Sequence, residues 1–166
     1  MAEFSNRYAL PYLQVGQAQK EVTHNAAVAG IDALLHLAVE TAARGTLPEA
    51  PVAGQAWIVA DGATGEWAGH DGAIMAFDAA GWHRIAPREG CVAWLRDVQR
   101  FAILTSGGWR DDGWPVAALR IGARTVLSGG MSVVPTAVGG AVVDVEARAA
   151  IAALVAGLRV QGLVAS

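Results

Sequence analysis

Between Gln55 and Trp114, no run of strand-forming residues exceeds five before a polar or glycine-bearing segment interrupts it. The runs are Ala56–Ala60, Glu66–Ala68, Ala73–Phe77, Trp82–Ala86, Cys91–Leu95 and Phe101–Leu104. The dividers Asp61–Gly65, Gly69–Gly72, Asp78–Gly81, Pro87–Gly90 and Ser106–Gly108 each supply at least one residue that tolerates positive φ. Connections this short leave no room for a crossover helix, so consecutive strands are expected to be antiparallel, as a meander. Gly81-Trp82, Gly108-Trp109, Gly113-Trp114 and the variant Gly65-Glu66-Trp67 echo one another without a fixed period. That irregularity points to related hairpins rather than to a propeller or solenoid.

The flanks follow a different period. From Gln17 to Ala43 there is no proline and one glycine, and Val28, Ile31, Leu34, Leu35, Ala38 and Ala42 recur at helical spacing. A helix is expected over 17–43, either continuous or divided near Thr23–Asn25 with Asn25 as a cap. Arg44-Gly45 is its stop, with Pro48 and Pro51 beyond. After Pro115 further strands are expected at Ala117–Ile121, Thr125–Leu127, Met131–Val134 and Ala141–Val143. A last helix is expected over 144–160, with Asp144 as N-cap, Val145, Ile151, Leu154, Val155 and Leu158 as its apolar stripe, and Gly162 as its stop. The fold class is therefore α+β: helix, antiparallel sheet, helix. The matching organisation is a helical attachment or oligomerisation segment over 1–50, a β region over 51–143, and a C-terminal helix over 144–166 packing on the sheet.

Composition narrows the function. Of 166 residues 54 % are apolar, but 35 are alanines, which bury little area, so the core must rest on the Leu, Ile, Val and Trp positions. No stretch has the length and apolarity of a membrane span, and Glu3 and Arg7 interrupt the N-terminus where an export signal would need an apolar core. Net charge is −3, and eleven of the twelve basic residues are arginines scattered singly, which is not the footprint of a nucleic-acid surface. Cys91 is the only cysteine, so an intramolecular disulfide and a multi-cysteine zinc site are excluded. His24, His36, His70 and His83 do not pair at metal-ligand spacing, and no metal or cofactor is expected. Ser106-Gly107-Gly108 and Ser128-Gly129-Gly130 lack the nucleophile elbow, and no phosphate-cradling glycine motif opens a helix. Paired carboxylates for glycoside hydrolysis stay open, with Asp61, Glu66, Asp71, Asp111 and Asp112 all in turns near tryptophans.

The six tryptophans are the one concentrated signal, all between Trp57 and Trp114. Trp57 and Trp94 sit inside apolar runs and read as core. Trp67, Trp82, Trp109 and Trp114 adjoin turns, where an indole can face solvent and stack on a sugar ring or anchor an interface. With Asp71, Arg110, Asp111 and Asp112 as hydroxyl partners, they form the expected carbohydrate-binding set. Val28, Ile31, Leu35 and Ala38 form the expected oligomerisation stripe, with a trimer as the first guess by analogy to fibres.

The stretch Leu10–Asn25 resembles the opening motif of an alphaproteobacterial family of phage-associated proteins long labelled a domain of unknown function. Ala63–Ile74 resembles its second signature, and Gly81-Trp82 and Ala86–Gly90 complete it. Members of this family occur in prophage structural modules, in tail-fibre-like proteins and in gene transfer agents, the domesticated phage particles of bacteria such as Rhodobacter. The short length is similar to that of head-spike fibre proteins of such agents, although similar domains sit on tails as well as heads. The resemblance implies a non-enzymatic particle component that binds the capsular polysaccharide of a recipient cell. It also implies a second particle protein as anchor, with assembly in the cytoplasm and release on phage-like particles. It transfers no catalytic residues. A glycan-cleaving enzyme and a purely structural connector are the competing expectations.

Overall fold

The computed structural model describes residues 3–13, 20–130, 132–136, 138–141 and 144–165. It divides into two units, residues 1–114 and 115–166. In chain order the first unit holds α1 (Lys20–Leu34), β1 (Ala38–Val39), β2 (Ala56–Ile58), a 3-10 turn (Gly65–Trp67), β3 (Ile74–Asp78), β4 (Gly81–Ile85), β5 (Val92–Leu95), β6 (Arg100–Thr105) and β7 (Gly108–Arg110). The second holds β8 (Ala118–Ile121), β9 (Arg124–Ser128) and α2 (Val145–Val160). The class is α+β, as the patterning implies.

The glycine turns pair near neighbours. In the β3–β4 hairpin Asp78 faces Gly81, whose φ of 116° only glycine adopts without strain, and the Asp78 carboxylate accepts the Ala80 N–H at 2.7 Å. Pairing β2–β3–β4 gives one antiparallel sheet, and β5–β6–β7 gives another. The meander is thus split in two.

Sequence patterning misplaced one pairing. Strand β1 joins the edge of β5 in parallel, with Ala38 opposite Trp94 and Val39 opposite Leu95. The helix expected to reach residue 43 stops at Leu34, and Gln17–Gln19 lie outside the described residues. His36 turns the chain with φ 46°, and Leu37 and Val39 then alternate into the core. Burying a leucine and a valine outweighs continuing an alanine stripe that covers little area. Ala38 therefore belongs to a strand, not to the helical stripe.

An N-terminal loop enforces this ending. The buried Asp32 carboxylate, 4 % exposed, accepts the Ser5 hydroxyl at 2.7 Å and the backbone N–H groups of Arg7 and Tyr8 at 2.9 and 2.7 Å. The Arg7 guanidinium donates to the carbonyls of Asp32, Ala33, Leu35 and His36, which a helix C-terminus leaves without partners. Asn25, read from sequence as a possible cap, instead holds the loop: its side chain exchanges two hydrogen bonds with the Leu13 backbone.

The two sheets share a core. Val39, Ala93, Leu95 and Ala102 from one meet Ala56, Ile58, Ile74 and Ala76 from the other, with Ala33 and Leu37 beside them. The alternate residues of β2 and β3 bury on the opposite face, where Trp57, Val59, Ala73 and Met75 pack with Ala63 and Trp67. Glu66–Ala68, expected as a strand, is mostly the 3-10 turn that brings Trp67 into this second cluster.

In the second unit, α2 begins where expected: the Asp144 carboxylate accepts the Ala147 N–H at 2.8 Å. It ends in a Schellman turn at Gly162, with Leu163 N–H donating to the Leu158 carbonyl and Gly162 N–H to that of Arg159. Hairpin β8–β9 fulfils two expected strands. Ser132 makes only an isolated bridge with Val164, so Met131–Val134 is no strand in its described part, and residues 131, 142 and 143 lie outside the description. The two units meet in sequence at residue 115. The first helix contributes Ala33 to the β core, and β8–β9 groups with the C-terminal helix.

Replacing Asp32 by Ala should cost about 3 kcal/mol, because three donors lose a charged acceptor in a buried setting. Urea unfolding followed by circular dichroism measures it; a loss below about 1 kcal/mol would mean the loop is not what holds α1.

Candidate functional site

An open cleft of about 820 Å³ lies on the first unit, walled by the 59–61 and 69–73 turns, residues 84–87 and 95–98, and the β6–β7 hairpin. Strand β7 places Trp109 opposite Leu104 and turns its indole toward the other sheet. There the indole N–H donates to the Gly72 carbonyl at 2.9 Å, tying the two sheets together at the cleft. Gly72 has φ 73°, and a Cβ there would lie 3.8 Å from the indole ring. The turn thus comes close to the indole through a conformation glycine adopts freely.

Asp71 stands on the same turn. Its two oxygens accept the backbone N–H groups of Gly62 and Ala63 at 3.0 and 3.3 Å, so it fastens one wall loop to another. Across from it, Asp111 lies 3.6 Å from Arg100. Arg110 forms a two-pronged pair with Asp112 at 3.0 and 2.9 Å. The hydrogen bond from Arg110 holds the Asp112 carboxyl below its usual range and, in return, raises the Arg110 guanidinium. Both side chains are exposed, so the pair orients the guanidinium more than it stabilises the fold. Asp61, Asp97, Arg84 and His70 also line the cleft. Sequence reading did not single out Arg84 or Asp97 as ligands. Arg84 lies within the expected strand Trp82–Ala86, and Asp97 sits in a turn.

Of the eight residues proposed for carbohydrate contact, Asp71, Trp109, Arg110 and Asp111 line this cleft, and Asp112 reaches it through Arg110. Three tryptophans fall elsewhere. Trp67 is 1 % exposed, so its place is in the core and it presents no face to a sugar. Half-buried Trp82 packs at 5.0–5.7 Å against Phe77, Trp57 and Trp67, closing the second cluster. Trp114 is 54 % exposed and joins Phe101 and Trp94 in a separate edge-to-face row. Adjacency to a glycine turn does not decide which way an indole points. For Trp82 strand register does: paired with Phe77, it leaves its sheet on the face of Met75 and meets the second cluster. Trp94, expected as core, is only half-buried.

Of the expected oligomerisation stripe, Ile31 is 57 % exposed and Leu35 is exposed with Leu34, whereas Val28 is half-buried. Burial pushes the Cys91 thiol up, which makes it a poor nucleophile at neutral pH. Among the described residues, no three His, Cys, Asp or Glu side chains gather as a metal site. Among them also, no helix is long and apolar enough to cross a membrane.

The fold and cleft define an α+β domain with two small facing sheets and a polar, tryptophan-edged surface groove. Residues 24–110, more than half of the chain, match the family described as a protein of unknown function (DUF2793), and the chain belongs to that family. No curated protein matches it. The matched span takes in both sheets and most of the cleft, and stops before Trp114 and the second unit.

Trp67→Ala should cost about 3–5 kcal/mol, as for other large buried side chains. Trp114→Ala should stay within about 1 kcal/mol, since it gives up one aromatic contact at the surface. Denaturant unfolding of both variants separates core from surface indoles; equal losses would contradict the assignment.

Proposed function

We propose that this protein is a non-enzymatic adhesin of a phage-like particle, of the gene-transfer-agent head-spike or fibre kind, that binds the capsular polysaccharide of a recipient cell. The observation that carries this reading is the open cleft in which Trp109 stands beside Asp71, Arg110 and Asp111. An indole offers a ring to sugar C–H groups, and carboxylates and guanidinium groups fixed around it accept from and donate to hydroxyls. A shallow open site of this kind binds weakly by itself. Several copies on one particle would multiply that affinity by about 10²–10⁴ through avidity. Exposed Ile31 and Leu34 on α1, with Leu35 just after it, suit contact between copies, or with an anchoring particle protein. On this reading the protein assembles in the cytoplasm and acts on released particles. It needs no cofactor.

The test is retention of the purified chain on encapsulated and capsule-free cells, scored also for shortening of the polysaccharide. Trp109→Ala should weaken capsule-dependent retention about tenfold, while Trp114→Ala changes it less than about twofold. Because Trp109 also bridges the sheets, the surface double variant Arg110→Ala with Asp111→Ala serves as a second probe and should weaken retention similarly. Loss on Trp114→Ala alone would move the contact to the Trp94–Phe101–Trp114 row. Shortening of the polysaccharide would replace the adhesin by a glycan-cleaving enzyme. Equal retention on both cell types would favour a structural connector.

A further inference from the structure

A second cavity, of about 370 Å³, opens between the N-terminal loop, α1 and the β3–β4 turn. Its lining is mostly hydrocarbon, from Phe4, Val22, Ala26, Ala29, Ala79 and Ala80. One member does not fit an apolar pocket. Glu21, in the first turn of α1, lines the cavity yet is only 8 % exposed, and its Oε2 is shut off from water without a hydrogen-bond partner among the described residues. A carboxylate oxygen buried without a partner is expensive, and proteins rarely leave one so.

The other polar groups of the cavity do not supply a partner. Asn25 spends both ends of its amide on the Leu13 backbone. His83 Nε2 lies 2.8 Å from Asp78 Oδ1, close enough for an ion pair although poorly aligned for a hydrogen bond. No lysine or arginine is among the described lining residues. The local field is negative. The Tyr12 phenol on the same wall is raised above its ordinary value, first by burial and then by the charges of Asp78 and Asp32.

We propose that this cavity is a binding site for an organic cation on a hydrocarbon stem, a primary ammonium or guanidinium whose charge meets Glu21 while its stem lies along Val22, Ala26 and Ala79. Charge on a carboxylate is shared by both oxygens, so a cation reaching either one neutralises it. The apolar walls exclude small hydrated cations and favour one that brings its own hydrocarbon. A free amine and a lysine or arginine side chain of a partner protein share this chemistry. The site is separate from the Trp109 cleft and does not rest on the carbohydrate reading.

The test uses the full-length chain with pentylammonium and with pentanol, its neutral counterpart, followed by backbone amide shifts of residues 21–29 and 78–83. Pentylammonium should bind at least about tenfold tighter than pentanol, and Glu21→Gln should erase that difference. Without ligand, Glu21→Gln should raise the unfolding midpoint by about 4 °C or more, because it removes a charge one of whose oxygens is buried without a partner. Binding of Nα-acetyl-lysine methylamide as well would show that a chain-borne side chain can enter; binding of pentylammonium alone would assign the site to free amines. Equal affinity for pentanol, or no binding of either probe, overturns the proposal. So does a lower midpoint in Glu21→Gln, which would mean that the carboxylate already has a partner within the chain.

Discussion

Strand β2 pairs with β3 so that Trp57 faces Met75 and Ile58 faces Ile74, and the side chains on both faces of that pair are buried. A strand pair covered on both sides needs two separate covers. One is the β1–β5–β6–β7 sheet, which meets Ala56, Ile58, Ile74 and Ala76 across a core rich in alanine. The other is the chain after β2, which folds back and lays Ala63 and Trp67 over Trp57 and Met75, with Leu47 beside them. The inner cluster takes the large indoles because the facing side is already closed by small residues. Trp57, Trp67 and Trp82 are spent on the fold.

That arrangement also makes the cleft. Where the two sheets diverge, the Trp109 indole crosses from β7 to the Gly72 carbonyl, and Asp71 binds the turn after β2 to the turn before β3. The same residues hold the walls and furnish the surface. The N-terminal loop acts at the other end of the unit. By ending α1 through Asp32 and Arg7, it frees Leu37–Val39 to become the parallel edge of the second sheet.

Much of the fold was legible in the residues. Glycine spacing gave the β3–β4 hairpin and the end of β6, and Asp144 and Gly162 marked the ends of α2 to within a residue. The failures have a common physical source, since each depended on partners distant in sequence. Leu37 and Val39 suit a helix locally and a strand only once β5 is beside them. Glu66-Trp67 looks like a strand until the second cluster draws the indole inward. Strand β7 is three residues long and was visible only as a Gly-Trp pair. At the cleft, residue type identified Asp71, Trp109, Arg110 and Asp111. It could not separate Trp109 from Trp67, because both adjoin glycines, and only the fold puts one on strand β7 and the other in the 3-10 turn against the second cluster.

The account rests on a division among six tryptophans: three fill the inner cluster, two belong with Phe101 to an outer row, and Trp109 alone edges the polar cleft. Indole N–H resonances of the ¹⁵N-labelled chain, recorded during titration with capsular oligosaccharide, examine that division directly. The Trp109 resonance should move with the backbone amides of Asp71 and Arg110, while those of Trp57, Trp67 and Trp114 stay in place. Movement of Trp94 or Trp114 with Trp109 unmoved, or no movement at saturating oligosaccharide, would contradict it.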